Sequence, residues 1–168
     1  MPAARFVTDA SLDFLARRLR FLGYDVVTHR GARLEELFEA ATRDGRTVLT
    51  TSARHPRRWS HVALVRVSRG DAAGALRAIA EAHEPAGPPF SRCPTCNTAL
   101  RGRSSFEAAG EVPGRVLRAG GPLAWCPACG QWFWVGTHVA RITEWLEAAL
   151  GRKLVPPGEP PAATAAGA

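Results

Sequence analysis

The chain is short of acidic residues and almost without lysine. Of its 22 basic residues, Lys153 is the one lysine and the rest are arginine, against 15 Asp and Glu. No stretch approaches the run of about 18 apolar residues that a membrane-spanning helix needs, so a spanning helix is excluded. The first residues, MPAARFVTDASLDF, contain no apolar core leading to a small-residue cleavage site, so no signal peptide is expected and the protein is expected in the cytoplasm. Cysteine is scarce, with four in 168 residues, too few for a disulfide-dense scaffold.

What is present is a length and a hydrophobic content (46%) sufficient for one compact domain, or for a small domain with an appended module. The net charge of +7 favours polyanionic partners, nucleic acid first, although a basic face can also be merely solvated and an Arg-rich, Ala-rich composition can reflect its genome.

Hydrophobic periodicity predicts a short strand over 4–9 and a helix over 11–22. In that helix Leu12, Leu15, Leu19 and Leu22 form the apolar stripe, and Arg17, Arg18 and Arg20 fall off it. Further strands are expected at 25–28, 46–50 and 62–67. Helices are expected at 33–44 and from Asp71 onward, where Ala72, Leu76, Ile79 and Ala80 share a face. This alternation implies an α/β fold with a largely parallel sheet covered by helices. The segment 51–60 is too short for a full helical crossover, so it holds either a short helical turn or a strand that pairs differently. EPAGPP at 84–89 reads as a linker. The expected organisation is thus an α/β domain over 1–83, the linker, and a cysteine-bearing module with a last amphipathic helix (138–150) over 90–150. A Pro/Ala-rich disordered tail over 151–168 completes it.

The four cysteines form two CxxC pairs, CPTC at 93–96 and CPAC at 126–129. A CxxC turn aims two thiolates at one centre, and two such turns complete the tetrahedral shell of a structural Zn²⁺. Twenty-nine residues separate the pairs, more than the roughly 15–20 of common zinc patterns, so the intervening basic stretch is an insertion. Cys93, Cys96, Cys126 and Cys129 are the expected ligands. A redox pair of the thioredoxin kind needs only one such motif.

Three carboxylates are predicted at the carboxyl ends of the strands, where open α/β sheets bind ligands: Asp9, Glu36 and Asp71. Converging there, they would suit a hard cation such as Mg²⁺ or Mn²⁺. Each also has a local alternative: helix caps for Asp9 and Asp71, a solvated surface position for Glu36, and an Asp13–Arg17 pair nearby. Arg54, Arg57, Arg58 and Trp59 form a basic loop with an aromatic, suited to RNA phosphates and an unpaired base. Trp59 can equally pack against the core. Arg17, Arg18 and Arg20, and Arg101, Arg103, Arg115 and Arg118, could extend that track. Trp132, Phe133 and Trp134 read as the small core of the cysteine module.

The stretch RFVTDASLDFLARRLRFLGYDV (5–26), with LEEL (34–37), VLT (48–50) and ALVRV (63–67), resembles the start of the Mut-seven C-terminal RNase domain, a PIN-like nuclease family. FSRCPTCNTAL (90–100), EVPGRV (111–116) and CPACGQWFWVGTH (126–138) resemble that family's zinc-ribbon half. The resemblance implies a PIN-like sheet, a divalent-metal site acting on RNA phosphodiesters, and catalytic roles for Asp9, Glu36 and Asp71. It leaves His138, in the ribbon's GTH, with a packing or an RNA-contact role. One departure stands out. The family usually follows its third strand with LTRD, whereas this chain reads Leu49-Thr50-Thr51-Ser52, with Ser52 in place of the acid. A hydroxyl is a far weaker Mg²⁺ ligand than a carboxylate. The resemblance therefore implies either a metal-dependent ribonuclease or a weakened or inactive RNA-binding relative. A zinc-ribbon protein-interaction module is the reading from another class.

Overall fold

The computed structural model describes residues 3–155. The elements, in chain order, are β1 (Arg5–Asp9), α1 (Asp13–Phe21), β2 (Asp25–His29), α2 (Leu34–Asp44), β3 (Thr47–Thr50), β4 (Leu64–Arg66), α3 (Ala72–Ala82), β5 (Arg101–Arg103), α4 (Gly114–Ala119), β6 (Leu123–Trp125), β7 (Trp132–Trp134) and α5 (Thr137–Leu150).

The first four strands make one parallel sheet in the order β2-β1-β3-β4. Successive side chains of a strand point to opposite faces, and both faces of this sheet are covered, so the central strand is apolar on both sides. Phe6 enters one core with Leu15, Leu19, Leu49, Leu76 and Ile79, between the sheet and α1, α3 and α5. Val7 enters the other with Val48, Leu37, Phe38 and Trp59, beneath α2. Buried Thr8 satisfies its hydroxyl on Leu49 O at 2.9 Å. The segment between β3 and β4 holds a single helical turn at Arg57–Trp59, and β4 pairs in parallel with β3.

The second sheet is antiparallel, β5-β6-β7, and carries the cysteine turns at its ends. Its core is small: Ala108, Val112 and Leu123, flanked by Trp132 and Trp134. Phe133 lines an apolar pocket with Phe21 and Phe90, between this sheet and the α/β body.

Three features differ from the expected organisation. Helix α5, grouped by sequence with the cysteine module, packs on α3 and sends Ile142, Leu146 and Ala149 into the α/β core. The 84–89 segment is not a loose tether. Ala86 N–H bonds Gly23 O at 3.1 Å, and a Cβ on Gly23 (φ +90°) would collide with Gly87 O, so only glycine allows this approach. Residues 151–154 are folded rather than part of a disordered tail. Leu154 is 6% exposed in the core, and its N–H bonds Glu147 at 3.0 Å, because the α5 stop at Gly151 (φ +67°) turns the chain back onto the body. The rest of the expected tail, from residue 156, lies outside the described residues.

Candidate functional site

The two cysteine turns are built alike. In each, the residue after the second cysteine has a left-handed backbone: Asn97 (φ +68°) and Gly130 (φ +71°). Asn97 N–H closes on Cys93 O and Gly130 N–H on Cys126 O, both at 2.9 Å. Cys93 N–H reaches Thr98 O and Cys126 N–H reaches Gln131 O in the same way. The backbone N–H groups of Thr95 and Cys96 point at the Cys93 sulfur, and those of Ala128 and Cys129 at the Cys126 sulfur.

The four sulfurs lie within 4.8 Å of one another. Cys93–Cys129 is 3.7 Å and Cys96–Cys126 is 3.4 Å. A tetrahedral thiolate shell on zinc places its sulfurs about 3.8 Å apart, so the donor set fits one such ion with no position left open. Burial pushes the Cys93 thiol up to about 12. Cys96 is driven up by burial but drawn down further by its bonds with Thr98, to about 6. A divalent cation offsets the first and draws all four groups to the thiolate form.

The first cysteine turn is bolted to the edge of the parallel sheet. Arg20, at 2% exposure, donates Nε to Val26 O (2.8 Å) and one terminal nitrogen to Pro94 O (2.8 Å) and Thr95 O (3.3 Å). Its other terminal nitrogen donates to Thr28 Oγ1 at 2.8 Å. Asn97 Oδ1 accepts from Val26 N–H at 3.1 Å, and its amide nitrogen donates to Asp25 at 2.7 Å. Asp25 also holds Arg46 at 2.7 Å and lies near Arg5 and Arg92. Burial would raise its pKa, but the bonds from Arg46 and Asn97 outweigh burial and hold the carboxyl below its ordinary range. Sequence reasoning missed Asn97 and Asp25. The available signal was that Asn97 occupies the place of Gly130 in the second turn, and asparagine is the residue that tolerates that backbone while keeping a polar side chain.

Arg20 is therefore corrected as an RNA contact: it lies off the leucine stripe yet is buried, with its guanidinium spent on carbonyls. Trp59 is corrected likewise. It is 7% exposed and stacks on Phe38, 6.0 Å between centroids, because its indole fills the space under α2. Arg17 pairs with Asp13 at 2.9 Å and keeps an exposed side chain. Burial pushes Asp13 up, but bonds from Arg17 and Thr28 leave it below its ordinary value. Arg18 lies over the Phe14 ring at 4.2 Å. Arg54 approaches Glu35 at 3.5 Å; Arg57 and Arg58 are exposed. In the ribbon, Arg103 pairs with Glu107 at 3.0 Å, whereas Arg101, Arg115 and Arg118 are exposed, as is His138 in the first turn of α5.

The carboxyl edge of the parallel sheet carries a polar cleft of about 450 Å³. Asp9, Ser11, Thr50, Ser52, Arg33, Arg54 and Arg69 are among its walls. Asp9 accepts from Ser11 N–H at 2.8 Å. Ser52 N–H donates to Thr50 Oγ1 and Ser52 Oγ accepts from Arg54 N–H, both at 3.1 Å, so two consecutive hydroxyl-closed turns shape the loop after β3. Glu36 sits behind the rim. Its carboxylate takes the Arg33 backbone N–H (3.4 Å) and Arg33 Nε (3.1 Å), and His29 is 4.0 Å away. The Arg33 bonds, backbone first, hold its carboxyl below the usual value. Asp71 caps α3 through Gly74 N–H at 2.8 Å and is not part of the cleft wall.

The three expected carboxylates are thus each engaged locally. Among the described residues, the four cysteines form the one group of three or more potential ligands whose donor atoms converge. With Ser52 in the cleft and Glu36 and Asp71 bonded elsewhere, the acidic set in this arrangement does not fit a shared Mg²⁺ or Mn²⁺.

Among the described residues, no helix is long and apolar enough to cross a membrane. Comparison with curated proteins and with solved structures gave no match. The sequence model of the Mut7-C RNAse domain matches residues 4–146, which span both the parallel sheet with its cleft and the four-cysteine module. The chain belongs to the Mut7-C RNAse domain family.

Proposed function

We propose that the protein binds RNA along the carboxyl edge of its parallel sheet, as a family member in which phosphate binding has outlasted efficient hydrolysis. The observation that carries this reading is the composition of the cleft: three arginines and four hydroxyl residues around a single acid, Asp9, with Ser52 where the family's acid is expected. Exposed Arg57 and Arg58, on the turn that follows the Ser52 loop, add positive charge. A chain of net charge +7 would draw a polyanion to that edge over a Debye length of about 8–10 Å.

In the same reading the metal at Cys93, Cys96, Cys126 and Cys129 is zinc, and its role is structural. It closes two turns that have only a small apolar core between them, and one of those turns braces β2.

A second reading is metal-dependent cleavage of RNA phosphodiesters, with Asp9, Glu36 and Asp71 re-oriented around Mg²⁺ or Mn²⁺. What favours it is family membership and the position of Glu36 beside Gly31, a residue of the cleft wall. One assay separates the two. Purified protein is incubated with single-stranded and structured RNA in Mn²⁺, Mg²⁺ or EDTA, alongside Asp9→Asn. Salt-sensitive binding without cleavage is expected. Metal-dependent cleavage lost in Asp9→Asn would replace this reading with the hydrolase. The absence of any salt-sensitive RNA affinity would leave the ribbon as a protein-interaction module.

A further inference from the structure

The polar cleft does not end at Arg69. On its other side lies a second hollow of about 320 Å³, and the two share Ser11, Thr51 and Arg69 as a common wall. The characters of the two differ. The first is walled by charge and hydroxyls. The second is walled by Leu12, Phe14, Leu15 and Val67. Phe14 is 51% exposed, one of the few large apolar side chains so open to solvent. Its ring lies perpendicular to that of Trp145, 5.8 Å between centroids, and the Arg18 guanidinium lies 4.2 Å from its centroid.

Arg69 stands on the ridge between them. It is exposed and, among the described residues, makes no ion pair or hydrogen bond, unlike Arg33 and Arg54, which each hold a glutamate. Ser52 Oγ accepts from the Arg54 backbone and so keeps its own proton free to donate. Leu34, the first residue of the 11-residue helix α2, also lines the polar cleft, which brings the positive end of that helix dipole to the wall.

We propose that these adjoining hollows hold one nucleotide of a single-stranded RNA. The phosphate sits directly on Arg69, Arg54 and Arg33 without a bridging divalent cation, and the base lies against Phe14. The inference rests on the RNA reading above and gives it a register. Guanidinium groups and hydroxyls take phosphate oxygens by donating hydrogen bonds, and stacking on an aromatic ring tolerates any base. Asp9, the one acid of the polar cleft, then works against binding.

The test is a titration of a fluorescent uridine decamer with the full chain in buffer free of Mg²⁺ and Mn²⁺ but without a chelator, at several salt concentrations, repeated with Mg²⁺. Arg69→Glu is expected to weaken binding about ten-fold and to lower the salt slope by about 1. Phe14→Leu, which keeps an apolar side chain against Trp145, is expected to weaken binding about five-fold or more with the salt slope unchanged. Asp9→Asn preserves the acceptor for Ser11 N–H and is expected to tighten binding about two- to five-fold. Thermal unfolding of each variant confirms that it is folded. The proposal is overturned if affinity is absent without Mg²⁺ and appears only when it is added, or if Asp9→Asn weakens binding. It is also overturned if RNA binds without Mg²⁺ with neither Arg69→Glu nor Phe14→Leu affecting it. That last result places RNA elsewhere on the chain and leaves the RNA reading standing. No RNA affinity under any condition removes both.

Discussion

Replacing Arg20 by methionine should destabilise the protein and loosen its metal centre together. Methionine keeps an unbranched apolar stem but removes every donor. Three carbonyls (Val26, Pro94 and Thr95) lose this donor, and Thr28 Oγ1 keeps only its bond to Asp13. Bonds from a charged donor contribute about 1.5–3 kcal/mol each, and a buried acceptor left alone costs about 1–3 kcal/mol. Against this stands the relief of no longer burying a guanidinium, itself worth several kcal/mol. The balance is a loss of about 3 kcal/mol, which for a chain of this size lowers Tm by about 6–12 °C. Because Pro94 and Thr95 lie between two metal-binding cysteines, zinc released to a chromogenic chelator should also appear faster from Arg20→Met than from wild type. Arg20→Lys should recover only part of either quantity, since one ammonium cannot span four acceptors. The reasoning fails if Tm moves by less than about 2 °C. It fails as well if Tm falls while zinc release is unchanged, since Arg20 would then stabilise only the helix and strand around it.

Protein purified without added metal is expected to contain about one zinc per chain by elemental analysis. Strong chelation should collapse the near-ultraviolet dichroism of Trp125, Trp132 and Trp134, because the apolar core beside them is only Ala108, Val112 and Leu123. The Asp25 carboxyl lies below its ordinary 3.8 in the folded state, so its contribution is complete above that value and is lost as pH falls through the lowered one. The difference in urea midpoint between wild type and Asp25→Asn should therefore shrink steadily below about pH 4. A constant difference down to pH 2 would contradict the assignment. Gly23→Ala should cost about 2–4 kcal/mol in equilibrium unfolding, from the positive φ and the collision with Gly87 O; a neutral outcome would mean that the 84–89 segment moves aside freely.

The periodic elements were legible because burial writes them directly into the chain. The Leu15–Leu19 spacing marks a helix face, and β-branched runs ending at Asp9 and Thr50 mark strands covered on both sides. The cysteine cluster was equally legible, since two CxxC turns each preset half of a tetrahedron whatever the rest of the fold does. Family resemblance added the expectation that Asp9, Glu36 and Asp71 would act together. Linear order does not reveal competition for a side chain, however. Arg33, three residues before Glu36, takes that carboxylate, and the free end of α3 takes Asp71.

Sequence alone thus determined the α/β order, the parallel pairing and the pairing of the four cysteines into two like turns, because these depend on local periodicity and on spacing within a turn. Only the tertiary structure decided that Arg20 and Trp59 are interior, that α5 belongs to the first core, and that Asn97 and Asp25 bolt the ribbon to β2. It alone also set Arg69 on the ridge between the polar cleft and the hollow beside Phe14. Each of these depends on which distant segments share a boundary, and a polar or aromatic residue reads the same in sequence whether its partner is water or a carbonyl more than 70 residues away.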